Sequence, residues 1–199
     1  MTKDKIINKA RELFLRLGFK SITMDDIATE MCCSKKTIYK FFANKEVLIA
    51  ATVIEVQNEI QANITKILNE SENAIAGNFE VTAYFRDMFK SSETSPVHQL
   101  KKHYPDIFLA LNERQVKECK VWFASNIQKG INQGYFRSEI DVENYAYFYY
   151  MLLFQISENT VYEREAAALE LKALEYHIRA MATPKGLEEL EHQLAQISF

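Results

Sequence analysis

Along nearly the whole chain, apolar residues recur three and four positions apart, and residues that break a helix are scarce. There are five glycines and three prolines in 199 residues. A 3.6-residue period suits an amphipathic helix and not a strand, which needs strict alternation. Ile6, Ile7, Ala10, Leu13, Phe14 and Leu17 form the first such stripe, and Gly18 is a natural C-terminal stop. The spacing predicts a helix over 4–17, then one over 22–31. A short helix begins at Ser34, with Ile38, Phe41 and Phe42 as its apolar side. Leu48, Ile49, Val53, Ile60, Ile64, Ile67 and Leu68 mark a long helix over 45–71. Gly77, Pro96 and Pro105 punctuate further helices over 78–91, a few residues after Pro96, and 106–133. A polar connection at 132–144 precedes helices over 142–162 and 165–181, and Pro184 opens a last helix through 194. The predicted class is all-α. An apolar content of 48% is enough to build a real core.

The helix starts near the N-terminus carry charge of unusual sign. Thr23 and Asp26 make a capping box, with acids in the first turn where the helix dipole favours them. Ser34 is followed by Lys35 and Lys36, and Asn44 by Lys45, so cations sit at the positive end of two successive helices. Each such lysine is unfavourable by a few tenths to about 1 kcal/mol unless an external anion lies against the helix start. Charge is also divided along the chain. Residues 1–50 hold ten Lys/Arg against six Asp/Glu, and the remainder fourteen against twenty-one. A basic head on an acidic body points to an anionic partner for the head alone.

Two short helices separated by a few residues form a helix-turn-helix pattern. In that arrangement the second helix enters the DNA major groove, with its N-terminal residues nearest the bases. Lys35, Lys36, Thr37 and Lys40 are expected there, Tyr39 can bond the DNA backbone through its hydroxyl, and Lys45 can hold a second phosphate. The expected division is a DNA-binding domain over 1–46 and a helical ligand-binding and dimerisation domain over 47–199. No Pro/Gly/Ser linker separates them, so motion in the body is expected to reach the head.

These residues, taken in order, resemble the DNA-binding head of the TetR family of transcriptional regulators. The resemblance rests on Gly18-Phe19, Thr23 to Ala28, Ser34 to Phe42 and Asn44 to Leu48, and covers roughly the first 50 residues. It implies a homodimer on a near-palindromic double-stranded operator, most often a repressor released by a small effector in the body. It also implies that Thr23, Ser34, Thr37, Tyr39 and Lys45 contact the DNA backbone, while Lys35, Lys36 and Lys40 face bases. The chain departs from the family at Cys32, where a glycine often makes the turn, and at Lys36, where a small residue is usual.

The body is crowded with aromatics, and several with polar tips suit an apolar ligand pocket as well as a core. Phe85, Phe89, His103, Tyr104, Phe108, Trp122, Phe123 and Tyr149 are expected to line a cavity for a lipophilic or aromatic compound. The stretch 145–156 is apolar on nearly all sides and must be covered on both. Tyr145, Phe148 and Leu152, with Leu169, Ala173, Leu174 and Ile178, are expected to form a four-helix interface with a second copy. No metal site, cofactor motif or catalytic constellation emerges. His98 and His103 lack neighbouring ligands, His177 and His192 stand alone, and there is no glycine-rich phosphate loop, nucleophile elbow or carboxylate pair. The three cysteines make no disulfide framework, and no apolar run has the roughly 18 residues needed to cross a bilayer. A cytoplasmic, non-enzymatic, ligand-responsive regulator is expected. One rival is a small-molecule binding protein with a vestigial head, which would show no sequence-specific DNA binding; a second is an enzyme built in the helical body, which would turn over the bound compound, and the basic head argues against both.

Overall fold

The computed structural model describes residues 1–197, with the side chains of 113–115 left aside. The described residues form helices α1 (Lys3–Leu17), α2 (Met24–Glu30), α3 (Lys35–Tyr39), α4 (Lys45–Glu70) and α5 (Ala74–Phe89), then α6 (Pro96–His103), α7 (Pro105–Asn132), α8 (Val142–Asn159), α9 (Glu163–Met181) and α10 (Pro184–Ala195). The fold is all-α, as the periodicity requires, and none of these helices is long and apolar enough to cross a membrane.

Local chemistry sets most helix starts. Asp26 N–H donates to Thr23 Oγ1 at 3.1 Å and Thr23 N–H to Asp26 Oδ2 at 2.8 Å, closing the capping box of α2. Asn44 Oδ1 accepts from Val47 N–H at the start of α4, and Asp141 Oδ1 from Asn144 N–H at the start of α8.

Three boundaries differ from expectation. α5 begins four residues early, because Asn73 Oδ1 accepts from both Ile75 and Ala76 N–H. Gly77 therefore lies inside the helix, where a Cβ would sit 3.1 Å from Ser71 Oγ. α3 is only five residues long; Phe42 drops into the core from the turn beyond it, and Phe41 stays exposed. α8 stops at Asn159 because 160–162 run extended, with Ser95 N–H donating to Val161 O and Glu163 N–H to Glu93 O.

Two apolar cores result. The head core joins Ile6, Ala10 and Phe14 of α1 with Ile27 and Ile38, and runs into the body through Leu48 and Ile49 of α4 and Leu100 of α6. The body core gathers Ala74 and Ile75, Phe136, Leu174, Ile178, Met181 and Leu190 from α5, the α7–α8 connection, α9 and α10. α6 also ties the two together. Phe19 N–H donates to Gln99 Oε1 at 3.0 Å, and the Tyr104 ring stands edge-on to Phe19 with centroids 6.4 Å apart.

The body core takes residues expected at an interface. Ala173, Leu174 and Ile178 are buried within their own chain. The α9 stripe that carries them faces α5 and α8, and the outward side of that helix instead carries Leu169 and Tyr176.

Candidate functional site

On the head, the expected DNA-binding residues lie at the cap of α2, at and along α3, and at the start of α4. Cys32 makes the turn at φ +49°, the left-handed region usually left to glycine. Ser34 caps α3: its Oγ accepts from Thr37 N–H at 3.2 Å and lies 2.8 Å from Thr37 Oγ1. Tyr39 is exposed. Lys36 and Lys40 are exposed and have no ion-pair partner among the described residues.

The other two lysines are occupied by the protein itself. Lys35 Nζ donates to Asp25 Oδ2 at 2.9 Å and stands 5.8 Å from the Tyr39 ring centre; the carboxylate holds its pKa above the ordinary lysine value. Lys45 Nζ donates to Lys20 O at 3.2 Å and lies 5.9 Å from the Tyr104 ring centre. Both contacts are exposed enough to exchange for a phosphate without a buried charge being stranded. Thr23 is engaged as the cap of α2, with its hydroxyl donating to Asp26 Oδ2.

The body holds a cavity of about 1510 Å³, open to solvent, between α4, α5, α7, α8 and α9, with α1 and α6 also contributing to its wall. Phe85, Phe89, Phe108, Trp122, Phe123 and Tyr149 line it. His103 and Tyr104 do not: Pro105 restarts the chain as α7, which leaves Tyr104 at the junction against Phe19 and His103 at the end of α6. The aromatic wall is partly stacked, with Phe85 on Phe89 and Phe108 on Phe154 at 6.2 Å, and Tyr149 flat on the buried His177 at 4.2 Å. Sequence reasoning missed Phe14 and Phe19, head-core residues that also form part of the wall. It also missed Glu163 and Glu170. Glu170 and His177 carried a signal, since they share a helical face with Ala166, Ala173 and Leu174 and so put polar groups on an apolar stripe.

Burial dominates the electrostatics of this region. It raises the pKa of Glu163 to about 7, with Glu170 as a smaller cause, and raises Glu170 against the opposing hydrogen bond from Ser157 Oγ at 2.9 Å. Burial pushes the Tyr149 hydroxyl well above its ordinary range and the Cys119 thiol up to about 12, which leaves that thiol inert. It lowers His177 to about 4, so that imidazole is neutral at neutral pH.

Outside the cavity, Phe148 and Leu152 of α8 and Leu169 and Tyr176 of α9 are exposed, with Tyr145 half-buried beside them. They form an apolar side on adjacent helices, a patch type that marks interaction surfaces.

Residues 6–52 match the family model described as bacterial regulatory proteins, tetR family. The HTH-type transcriptional regulator UidR of Escherichia coli (strain K12) is 38% identical over 61 residues, which span 31% of this chain and 31% of that protein. The chain thus matches about a third of the length of this relative. The uncharacterized HTH-type regulator YdeS of Bacillus subtilis (strain 168) is 24% identical over 158 residues, 71% of each chain. Among solved structures, a transcriptional regulator from Cytophaga hutchinsonii superposes with a TM-score of 0.73 at 22% identity, covering 90% of this chain and 98% of its own. A TetR-family regulator from Agrobacterium tumefaciens gives 0.70 at 16% identity, covering 90% and 97%. The family match falls in the head, where the capping box, the helix-turn-helix and the lysine-led helix starts lie, and the solved structures share the fold of head and body together. Residues 6–52 thus carry the sequence of a TetR-family DNA-binding head, and the chain as a whole shares the fold of these solved regulators.

Proposed function

We propose that the protein is a ligand-responsive repressor that binds a palindromic operator as a homodimer and is released by a small lipophilic or aromatic effector. In this reading residues 1–46 act as the DNA-binding unit and 47–199 as the effector-binding and dimerisation unit. Lys36 and Lys40 read base edges together with Lys35 once Asp25 releases it. Thr23, Ser34, Thr37, Tyr39 and Lys45 hold phosphates and set the register. Two heads related by the dimer axis meet successive major-groove faces about 34–36 Å apart. The surface carried by Tyr145, Phe148, Leu152 and Leu169 supplies the isologous contact.

The observation that carries the reading is the shared wall. Phe14 and Phe19 belong to the head core and also bound the body cavity, so an effector there contacts the head's own packing. Such an effector shifts the spacing of the two heads by no more than its differential affinity for the two states.

Selection of bound sequences from random duplex DNA tests this, with recovered sites measured by anisotropy across a salt series. The expected result is an inverted repeat. Lys45→Ala should weaken all sequences and reduce the salt slope by about one, while Lys36→Ala should relax one half-site position at a cost of about 1–3 kcal/mol. Weak binding that ignores sequence and is unchanged in both variants would instead favour a small-molecule binder with an idle head.

A further inference from the structure

Resting on the effector reading above, we propose that the cavity takes a lipophilic organic cation, with Glu163 and Glu170 as its counter-charge and the aromatic wall as its apolar shell.

The two carboxylates line the same cavity, and no cation acts on either among the described residues. Glu170 accepts one hydrogen bond from the Ser157 hydroxyl, and the Glu163 side chain has no hydrogen-bond or ion-pair partner among the described residues. The cations that also reach the cavity wall are committed or solvated. Arg11 is paired with Glu59, Lys90 with Asp87 at 2.7 Å, and Arg86 and Arg164 are exposed. Buried carboxylates are normally paired or protonated, because an isolated charge in an apolar medium is costly. Here both carboxylates are half-buried, that burial holds both pKa values up, and the charge of Glu170 raises Glu163 further, which is the state expected of a site lacking its counter-ion.

The neutral polar groups of the wall point the same way. Asn126 is 4% exposed; its Nδ2 donates to Ala74 O and Asn78 Oδ1, and its Oδ1 accepts from nothing. Since Ala74 O can only accept, the amide orientation is set, and the atom left over is an acceptor. Asn112 Oδ1 is a second buried acceptor without a donor. The Tyr149 hydroxyl, on a side chain 6% exposed, makes no hydrogen bond among the described residues and lies in the field of Glu170. Ser92 Oγ is also unpartnered, and a hydroxyl can serve either role. A cation with N–H donors would satisfy these acceptors, and one with a delocalised or shielded charge would gain from the faces of Trp122, Phe123 and Tyr149. An anion would meet two carboxylates and aromatic faces that repel it.

Ligand and proton compete for Glu163. A cation binds the ionised carboxylate, so its affinity should rise as pH passes upward through about 7, and Glu163→Gln should remove that rise. The titratable, charged and hydroxyl groups that share the cavity wall with this pair include Arg11 of α1, Glu80 and Arg86 of α5, Lys90 just beyond it, Cys119 of α7, Tyr149, Tyr150 and Ser157 of α8, and Arg164 and Glu165 of α9 itself. Tyr150 and Cys119, each raised to about 12, stay neutral through this range.

The chain's single tryptophan, Trp122, lies in the wall and reports occupancy directly. The full chain is titrated, without DNA, with tetraphenylphosphonium and with tetraphenylborate, which share size and shape but carry opposite charge. The expected result is a saturable change in Trp122 emission, with the cation bound at least about tenfold tighter and that preference lost in Glu163→Gln and Glu170→Gln. Equal or tighter binding of the anion, no saturable response to the cation, or a preference that survives in both variants would overturn the proposal. Should a variant fail to fold, the wild-type comparison of the two ions still decides. Because the readout needs no operator, cation binding without operator selection would sink the regulator reading alone, and operator selection without a cation preference would sink this one alone.

Discussion

Cys32 holds a left-handed backbone conformation that costs a side-chain-bearing residue about 1–2 kcal/mol. Glycine relieves that strain but loosens the unfolded chain by about 0.4–1 kcal/mol. Cys32→Gly should therefore stabilise the protein by about 0.5–1 kcal/mol net, read by denaturant unfolding. The buried His177 and the half-buried Glu163 set opposing pH dependences. His177, lowered from 6.5 to about 4, leaves the unfolded state holding the extra proton between those values, so its contribution is complete above pH 6.5 and is lost as pH falls. Glu163, raised from 4.5 to about 7, leaves the native state holding the extra proton, so its contribution is complete below pH 4.5 and is lost as pH rises. The two largely cancel between pH 4.5 and 6.5. Glu163→Gln should unmask a stability that rises across that window by on the order of 2 kcal/mol, and His177→Phe one that falls, both followed by urea midpoints at stepped pH.

At the scale of elements, α10 is held by contact and not by propensity alone. Thr183 Oγ1 caps it, accepting from Gly186 N–H at 3.2 Å, and Gly186 lies so close to the backbone carbonyl of Tyr135 that a Cβ there would overlap it. A backbone oxygen cannot swing aside as a flexible side chain can. Gly186→Ala should destabilise the protein by on the order of 2–3 kcal/mol, measured by thermal unfolding, with loosening concentrated where α10 meets the 135–137 segment. Helix α9 shows what periodicity does and does not reveal. Its apolar positions were plain in the sequence, but an interior stripe and a partner-facing stripe look alike until neighbouring helices claim one of them. α5 and α8 claim Ala173, Leu174 and Ile178.

At the scale of the molecule, the homodimer reading proposed above makes the exposed rings on α8 and α9 the surface on which a second copy docks. Phe148 is 57% exposed and Leu169 45%, so changing them leaves the interior untouched. Phe148→Glu with Leu169→Arg should convert a dimer to a folded monomer in analytical ultracentrifugation, with unfolding of the monomer within about 1 kcal/mol of the ordinary surface range. A wild-type chain that sediments as a monomer at working concentration would remove the dimer from the account.

The sequence by itself determined what local chemistry controls. Rare helix breakers and a sustained 3.6-residue period dictated an all-α chain; Thr23, Ser34, Asn44 and Asp141 set helix starts; and lysines at two of those starts marked the head. Only the tertiary structure decided which apolar residues meet. It put Phe14 and Phe19 in the wall of a body cavity, took Tyr104 to the head–body junction, turned the α9 stripe inward and left Glu163 and Glu170 half-buried on the cavity wall with no cation paired to them among the described residues. The reason is physical. A cap or a period acts within one or two helical turns of sequence, whereas burial and an unpaired charge exist only once helices far apart in the chain have closed around them.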